Sequence, residues 1–458
     1  MGIAANLFHN PDDRENSLAY RIRPSDDQIQ QQQERWNDLA DVLKEMLRDR
    51  VGKPVSSWLQ GSYKFGTQIR PARMGEEFDI DLGIYVEWPG AAKDGANGAC
   101  ELKDHVQAIL QDYASVDAND ATEAAKPKPR CNRIRFGQDF HIDVPSYHLD
   151  RQDDARELAT EDDKWDNSDP KAVYVWWKRQ FDGAQRDRAR RLARYLKMWA
   201  ALTFEHEARP SSILLTVLVA RALASAKTDD LSGDDEYLQA VVAEIAERLQ
   251  ASRVVRNPAN RAEDLNRLSD VDFDDFRIKL DELLSVAERA LAAVDQCDSA
   301  EIWSEAFRHF FPYPREDGAK AEVAARHAIA PLRFDPQVSV LATQNKRSWT
   351  GHNGIGPIPR NCDIRFAVVN HDELPDGAAI SWTVRNEGRE AEVANDLGHI
   401  GGAGTQHQER SAYRGTHNMD VVVKMNGRVI GRRRVEVQVS GLVFPQRNPA
   451  RPAWVSLR

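Results

Sequence analysis

The sequence predicts an α+β chain, and three observations carry that prediction. Alternating apolar and polar residues in 78–83, and in 132–136 and 140–145 on either side of Gly137, mark strands in the first third. From about 172 to 311 the apolar residues recur at helical spacing, as in the stripe Phe273, Phe276, Leu280, Leu283, Leu284 and Ala287. Beyond 333 short alternating runs return at 364–368, 380–384, 421–425 and 435–439. A chain of 458 residues is too long for one core. The expected division is 1–175, 176–317, a linker at 318–332 rich in charge and alanine, and a β-rich 333–458.

Residues 26–50 carry helix caps and apolar residues at helical spacing, including Trp36, Leu39, Val42, Leu43 and Leu47, and predict a long helix. The turn Gly61-Ser62-Tyr63-Lys64-Phe65-Gly66-Thr67 follows. Its glycines allow close backbone approach, and several N–H groups with the Ser62 hydroxyl can meet one anion such as a phosphate chain. An ordinary Gly/Ser turn is the alternative, and Arg70-Pro71 keeps any helix begun after Ser62 short.

Side chains alternate along Phe78-Asp79-Ile80-Asp81-Leu82-Gly83, so Asp79 and Asp81 share one face while Phe78, Ile80 and Leu82 point into a core. Neighbouring carboxylates repel unless cations lie between them, and hard oxygen donors suit Mg2+ or Mn2+. A surface strand with a polar face is the alternative. Residues 88–100, rich in Gly and Ala, are expected to be a mobile loop between strands. The strands around Gly137 read as a hairpin that can lie beside the Asp79 strand, so Asp143 supplies a third carboxylate for two metals. A strand-end acid before a turn is the other reading of Asp143.

The succession Gly-Ser-x-x-x-Gly-Thr at 61–67, hydrophobic-Asp-hydrophobic-Asp at 78–81 and Ile-Asp-Val-Pro at 142–145 resembles the polymerase-beta-type nucleotidyltransferases, specifically the bacterial CD-NTases. Trp165-Asp166-Asn167-Ser168-Asp169-Pro170, Arg194-Tyr195-Leu196-Lys197-Met198-Trp199 and Pro210-Ser211-Ser212-Ile213-Leu214-Leu215 resemble further segments of that family. On spacing alone Lys197 falls off the buried stripe of Leu192, Leu196 and Trp199 and is a solvated lysine, and Ser211 is a helix N-cap. Asn257-Pro258 with Glu263-Asp264-Leu265-Asn266 is expected to be a structural turn.

The resemblance implies a polymerase-beta-like nucleotidyltransferase core with a helical lobe, followed by a β-rich C-terminal domain. It implies Mg2+ (or Mn2+) on Asp79, Asp81 and Asp143, and nucleotide held by Gln60, Gly61, Ser62, Lys197 and Ser211. The implied substrates are nucleoside triphosphates, ATP and/or GTP. The implied product is a cyclic di- or trinucleotide second messenger of anti-phage signalling, read by a separate effector protein. Tyr63 or Phe65 would offer a base a stacking surface. Alternatives from other classes are nucleotidyl transfer to an RNA end or a protein, and a catalytically idle nucleotide-binding sensor.

The net charge of −10 argues against a protein that coats nucleic acid, although residues from 331 onward carry +5 and the remainder −15. No stretch approaches the roughly 20 apolar residues of a membrane span, no signal peptide is evident, and a cytoplasmic location is expected. Cys100, Cys131, Cys297 and Cys362 lack zinc-site spacing and read as reduced, structural thiols.

The module from 333 resembles the adenylyl/guanylyl and SMODS C-terminal sensor domain through Trp382-Thr383-Val384-Arg385-Asn386-Glu387-Gly388, Tyr413-Arg414-Gly415-Thr416-His417 and a closing hairpin at Asn426-Gly427. Residues 398–404 read as a flexible loop or a ligand loop, with Arg410, Arg414 and His417 able to meet an anion. His399, His407 and His417 suggest a metal, but no carboxylate or cysteine completes a recognised spacing. Arg432-Arg433-Arg434 reads as the charge run of an edge strand.

Overall fold

Helix α3 (Asp26–Val51) shows how local sequence sets the first elements. The Ser25 hydroxyl accepts from the Gln28 N–H while Gln28 Oε1 accepts from the Ser25 N–H, and Gly52 at φ +63° ends the helix. Its Leu39, Leu43 and Leu47 are fully buried. Two short helices, α1 (Ala5–Phe8) and α2 (Leu18–Arg21), precede it. The computed structural model describes residues 2–73, 75–95, 98–137, 140–314, 334–426 and 428–440. These divide into two units, one running to 307 with 311–314, the other formed by 308–310 and the residues from 334 onward.

In the first unit, β1 (Val55–Gln60), the short α4 (Gly61–Phe65) and β2 (Phe78–Glu87) lead to α5 (Ala99–Ala114). The strand-to-strand loop expected at 88–100 is thus corrected. The glycines there precede a helix that buries Leu102, Val106, Ile109 and Leu110 at helical spacing. Strands β3 (Glu123–Lys128), β4 (Cys131–Phe136), β5 (Phe140–Val144), β6 (Ser146–Asp150), β7 (Ala155–Ala159) and β8 (Trp165–Asn167) complete a sheet ordered β3-β4-β5-β2-β6-β7-β8, with β1 also paired to β2. Ile80, Leu82, Ile84, Ile134, Ile142 and Val144 pack with α3 and α5 into one core, each fully buried side chain contributing roughly 1.5–3 kcal/mol over exposure.

Asp169 caps α6 (Pro170–Gln180) by accepting from the Ala172 N–H at 2.9 Å, with Pro170 in the first turn. Then come α7 (Gly183–Thr203), α8 (Ser212–Ser225), α9 (Asp234–Ala251), α10 (Asp270–Leu291) and α11 (Gln296–Phe307). Helix α7 contacts α8, α9 and α11 and is buried from Tyr195 through Leu202. Lys197 lies within that buried run, so the solvated lysine expected from a one-sided stripe is corrected. The turn at 257–266 is structural, with Asn257 Nδ2 donating to Glu263 at 2.6 Å and Asp264 accepting from the Val255 N–H at 2.9 Å.

The second unit is a β-sandwich. It contains β9 (Val338–Gln344), β10 (Arg347–His352), β11 (Gly354–Pro359), β12 (Asp363–Val368), β13 (Ala379–Arg385), β14 (Gly398–Ala403), β15 (Gln406–Arg410), β16 (Gly415–Met425) and β17 (Arg428–Ser440). One sheet is ordered β10-β9-β12-β15 and the other β11-β17-β16-β13-β14, around a core that includes Phe366, Trp382, Val421 and Val435. The loop expected at 398–404 is largely strand β14. Strand β17 lies between β11 and β16, but β11 pairs only with residues 436–440, so the arginine run at 432–434 is flanked by β16 alone, as on an edge. Within it Arg434 forms a two-pronged ion pair with buried Asp420. The proposed linker 318–332, and Gly427 of the hairpin, lie outside the described residues.

Candidate active site

Two strands set the site. β2 and β5 pair in parallel with Asp79 opposite His141 and Asp81 opposite Asp143, bringing the three aspartates of the sequence motifs onto adjacent strands. The donor atoms of Asp79, His141 and Asp143 lie within 4.8 Å of one another. His141 Nε2 is 2.9 Å from Asp79, and its Nδ1 is 2.7 Å from Glu77.

Asp143 receives two hydrogen bonds from Arg133, at 2.5 and 2.8 Å, and a third from Lys128 at 3.4 Å. Burial pushes its carboxyl up, but the hydrogen bond and charge of Arg133, with Lys128, outweigh this and hold its pKa below 3.8. Asp81 has the opposite balance. Burial, then the charges of Asp79 and Asp143, raise it well above 3.8. Carboxylates gathered this closely, one of them destabilised as an anion, fit a hard divalent cation, and oxygen donors match that choice. Asp79 and Asp143, with His141 among the converging donors and Asp81 paired opposite Asp143, therefore fit a divalent metal.

Sequence reasoning missed His141, Glu77, Arg133 and Lys128. The hairpin already contained two of them, Arg133 and His141, and a turn centred between Phe136 and Phe140 places Arg133 opposite Asp143.

Gly61 has φ +56°, and a Cβ there would lie 1.8 Å from Asp81 Oδ2, so only glycine lets the turn pass the carboxylate. Three basic side chains of α7 grip the end of the same turn. Arg190 donates to the Phe65 carbonyl at 3.1 Å and Arg194 to that of Gly66 at 2.7 Å, while Lys197 Nζ reaches the Thr67 hydroxyl at 2.8 Å and its carbonyl at 3.3 Å. Burial, then Arg194, lowers the Lys197 pKa to about 7.

A cavity of about 700 Å³ is lined by Ser62, Asp79, Asp143, Lys197 and Ser211 among others. Ser211 is also the N-cap of α8, accepting from the Leu214 N–H at 3.4 Å. Gln60, Gly61 and Asp81 line a second cavity of about 610 Å³ with Tyr147 and Asp169. The Gln60 amide is held from both ends, donating to Tyr85 at 2.8 Å and accepting from Tyr147 at 3.1 Å. Neither expected stacking residue stands free. Tyr63 packs on Trp36, and Phe65 is buried against Tyr174 and Trp177.

Residues 55–147 match the family described as cyclic GMP-AMP synthase DncV-like, nucleotidyltransferase domain, and residues 322–440 match the adenylyl/guanylyl and SMODS C-terminal sensor domain. The chain is 28% identical to a cyclic GMP-AMP synthase of Escherichia albertii over 95% of its own length and 96% of that protein. It is 27% identical to a cyclic GMP-AMP synthase of Vibrio cholerae over 42% of its length, about half (53%) of that relative. The Vibrio cholerae di-nucleotide cyclase solved with GTP and 5MTHFGLU2 shares the fold over 68% of this chain and 97% of its own, at 21% identity and a TM-score of 0.56. The same enzyme with a linear intermediate, 5′ pppA(3′,5′)pG, aligns over 68% of this chain and 96% of its own with a TM-score of 0.55 and 20% identity. The chain joins a DncV-like nucleotidyltransferase domain to an adenylyl/guanylyl and SMODS C-terminal sensor domain, and its fold is that of the bacterial CD-NTases.

Proposed function

We propose that the chain is a metal-dependent nucleotidyltransferase that joins nucleoside triphosphates, ATP and/or GTP, into a cyclic di- or trinucleotide signal of anti-phage defence. The observation that carries this reading is the β2–β5 register, which sets Asp81 opposite Asp143 with Asp79 beside them. The names and bound nucleotides of the similar proteins support the product class. On this reading 1–175 is the catalytic lobe, 176–317 the helical lobe, 318–332 the linker and 333–458 the sensor.

Ser62, Lys197 and Ser211 hold the triphosphate in the larger cavity, and Gln60 and Gly61 shape the adjoining one. A 2′ or 3′ hydroxyl of one nucleotide forms a bond to the α-phosphorus of another, and the bond to the departing pyrophosphate breaks. The hydroxyl proton passes to a carboxylate. Asp81 is the more basic of the two facing acids and Asp143 the one Arg133 keeps ionised. Magnesium held by Asp79, Asp81 and Asp143 would stabilise charge on the attacking and leaving oxygens.

The test incubates the protein with magnesium and each labelled triphosphate, alone and mixed, followed by phosphatase. A small phosphatase-resistant product that is absent with Asp79→Ala is expected. Label appearing only on added RNA or protein would overturn the cyclic product in favour of macromolecular transfer. If 333–458 gates the reaction, its removal changes basal or induced synthesis; unchanged rates would remove that role.

A further inference from the structure

The second unit holds a cluster that the transferase reading does not use. In the sandwich, Glu409 pairs with Ile364, His407 with Phe366, and His399 with Val384. All three partners belong to the apolar core, and directly paired residues share a sheet face, so the three polar side chains sit on the core-side faces of β15 and β14, at an open margin where the His399 side chain is 51% exposed. Those strands are edges of different sheets. An inward face normally carries apolar side chains. Here two imidazoles and a carboxylate converge instead, with His399 Nε2 2.9 Å and His407 Nε2 2.5 Å from the same oxygen, Glu409 Oε1.

The surroundings fix the arrangement. The His407 ring stacks on buried Trp382 at 6.1 Å, and the Trp382 indole N–H donates to the Gly404 carbonyl at 2.7 Å. A Cβ on Gly401 would lie 2.8 Å from His407 Nε2, so a glycine keeps that nitrogen accessible. His417 is excluded, since Nδ1 accepts from the Glu387 N–H at 3.3 Å and Nε2 donates to the Tyr413 carbonyl at 2.8 Å. The carboxylate that spacing alone did not supply is therefore Glu409, brought in by β-pairing.

We propose that His399, His407 and Glu409 bind one zinc ion that ties together the two edge strands of the sandwich. The three donor atoms already lie within 4.8 Å of one another. Two imidazole nitrogens favour zinc over magnesium or calcium, and three protein ligands leave a fourth position for water or a small ligand. His399 and Glu409 also line a cavity of about 80 Å³, with room for such a molecule.

The experiment titrates Zn2+ into the chelator-stripped full chain against a chromophoric competitor, with Co2+ as a spectroscopic stand-in. It is run in an Asp79→Ala background, which weakens the other cluster. One zinc per chain and a tetrahedral cobalt spectrum are expected. His399→Ala and His407→Ala should weaken binding at least ~100-fold, beyond what loss of a second-shell partner costs. Glu409→Gln, which keeps side-chain shape, repeats the test if an alanine variant misfolds. No zinc retained against the competitor, or retention unchanged in His399→Ala and Glu409→Gln, would overturn the site.

Discussion

The two clusters of potential metal ligands are built on different principles. Asp79, Asp81 and Asp143 come from neighbouring parallel strands of one sheet, and the acids are balanced by Arg133 and Lys128. His399, His407 and Glu409 come from edges of two sheets, and the single acid is balanced by imidazoles alone. The first cluster gathers three carboxylates and suits a hard cation; the second joins one carboxylate to two imidazoles and suits a borderline ion such as zinc. Position within the sheet thus decides which chemistry a handful of polar side chains can support.

The largest effect that would break this contrast is on turnover. Asp79→Ala and Asp81→Ala should each lower nucleotidyl transfer by at least about a thousandfold, the scale of several kcal/mol of lost transition-state stabilisation. Zinc uptake by the second unit should be unaffected. Transfer that persists within tenfold would make the acids structural.

Next comes a stability difference inside the first cluster. Asp143→Ala takes the partner from half-buried Arg133 and should cost about 3 kcal/mol in chemical denaturation at pH 7. Asp81→Asn removes a carboxylate that burial and its neighbours oppose, so its melting temperature should match or exceed the parent's. The pH dependences should also diverge. Asp143 has a lowered pKa, so its contribution is present above 3.8 and lost as pH falls through the folded value. Asp81 has a raised pKa, so its penalty grows as pH rises above 3.8, and the advantage of Asp81→Asn should widen over that window.

Lys197 sharpens the comparison at the basic side of the site. Its pKa is about 7 when folded and 10.5 ordinarily, so between those values the unfolded chain binds the extra proton and stability rises with pH. Against Lys197→Met, whose stability lacks this slope, the parent should gain steadily from pH 7 to pH 10. A flat difference would mean that the ammonium is solvated. The smallest expected effect is that of Glu409→Gln in zinc-free protein, about 1 kcal/mol or less, with synthesis unchanged.

Much of the first unit was legible because its signals are local. Alternation placed β2, β4 and β5, glycine and serine placed the turn, and capping residues placed α3. What escaped depended on neighbours distant in sequence. Lys197 is buried with its ammonium on Thr67, a partner far away in sequence that a single stripe cannot reveal. Residues 88–100 hid the start of α5 because glycine and alanine signal loops as readily as helix ends. Glu409 became a partner of His399 only through two strand pairings in separate sheets.

The grip of Arg190, Arg194 and Lys197 on residues 65–67 has a mechanical consequence. Arg190, Arg194 and Lys197 recur at i, i+4 and i+7 on one face of α7, so the end of the turn is fastened at successive rungs of that face. Any opening of the cleft that keeps those rungs intact must carry the glycine-serine turn along with α7. The backbone that would cradle the phosphates then moves as cargo of the helical half, although the chain enters it from the sheet.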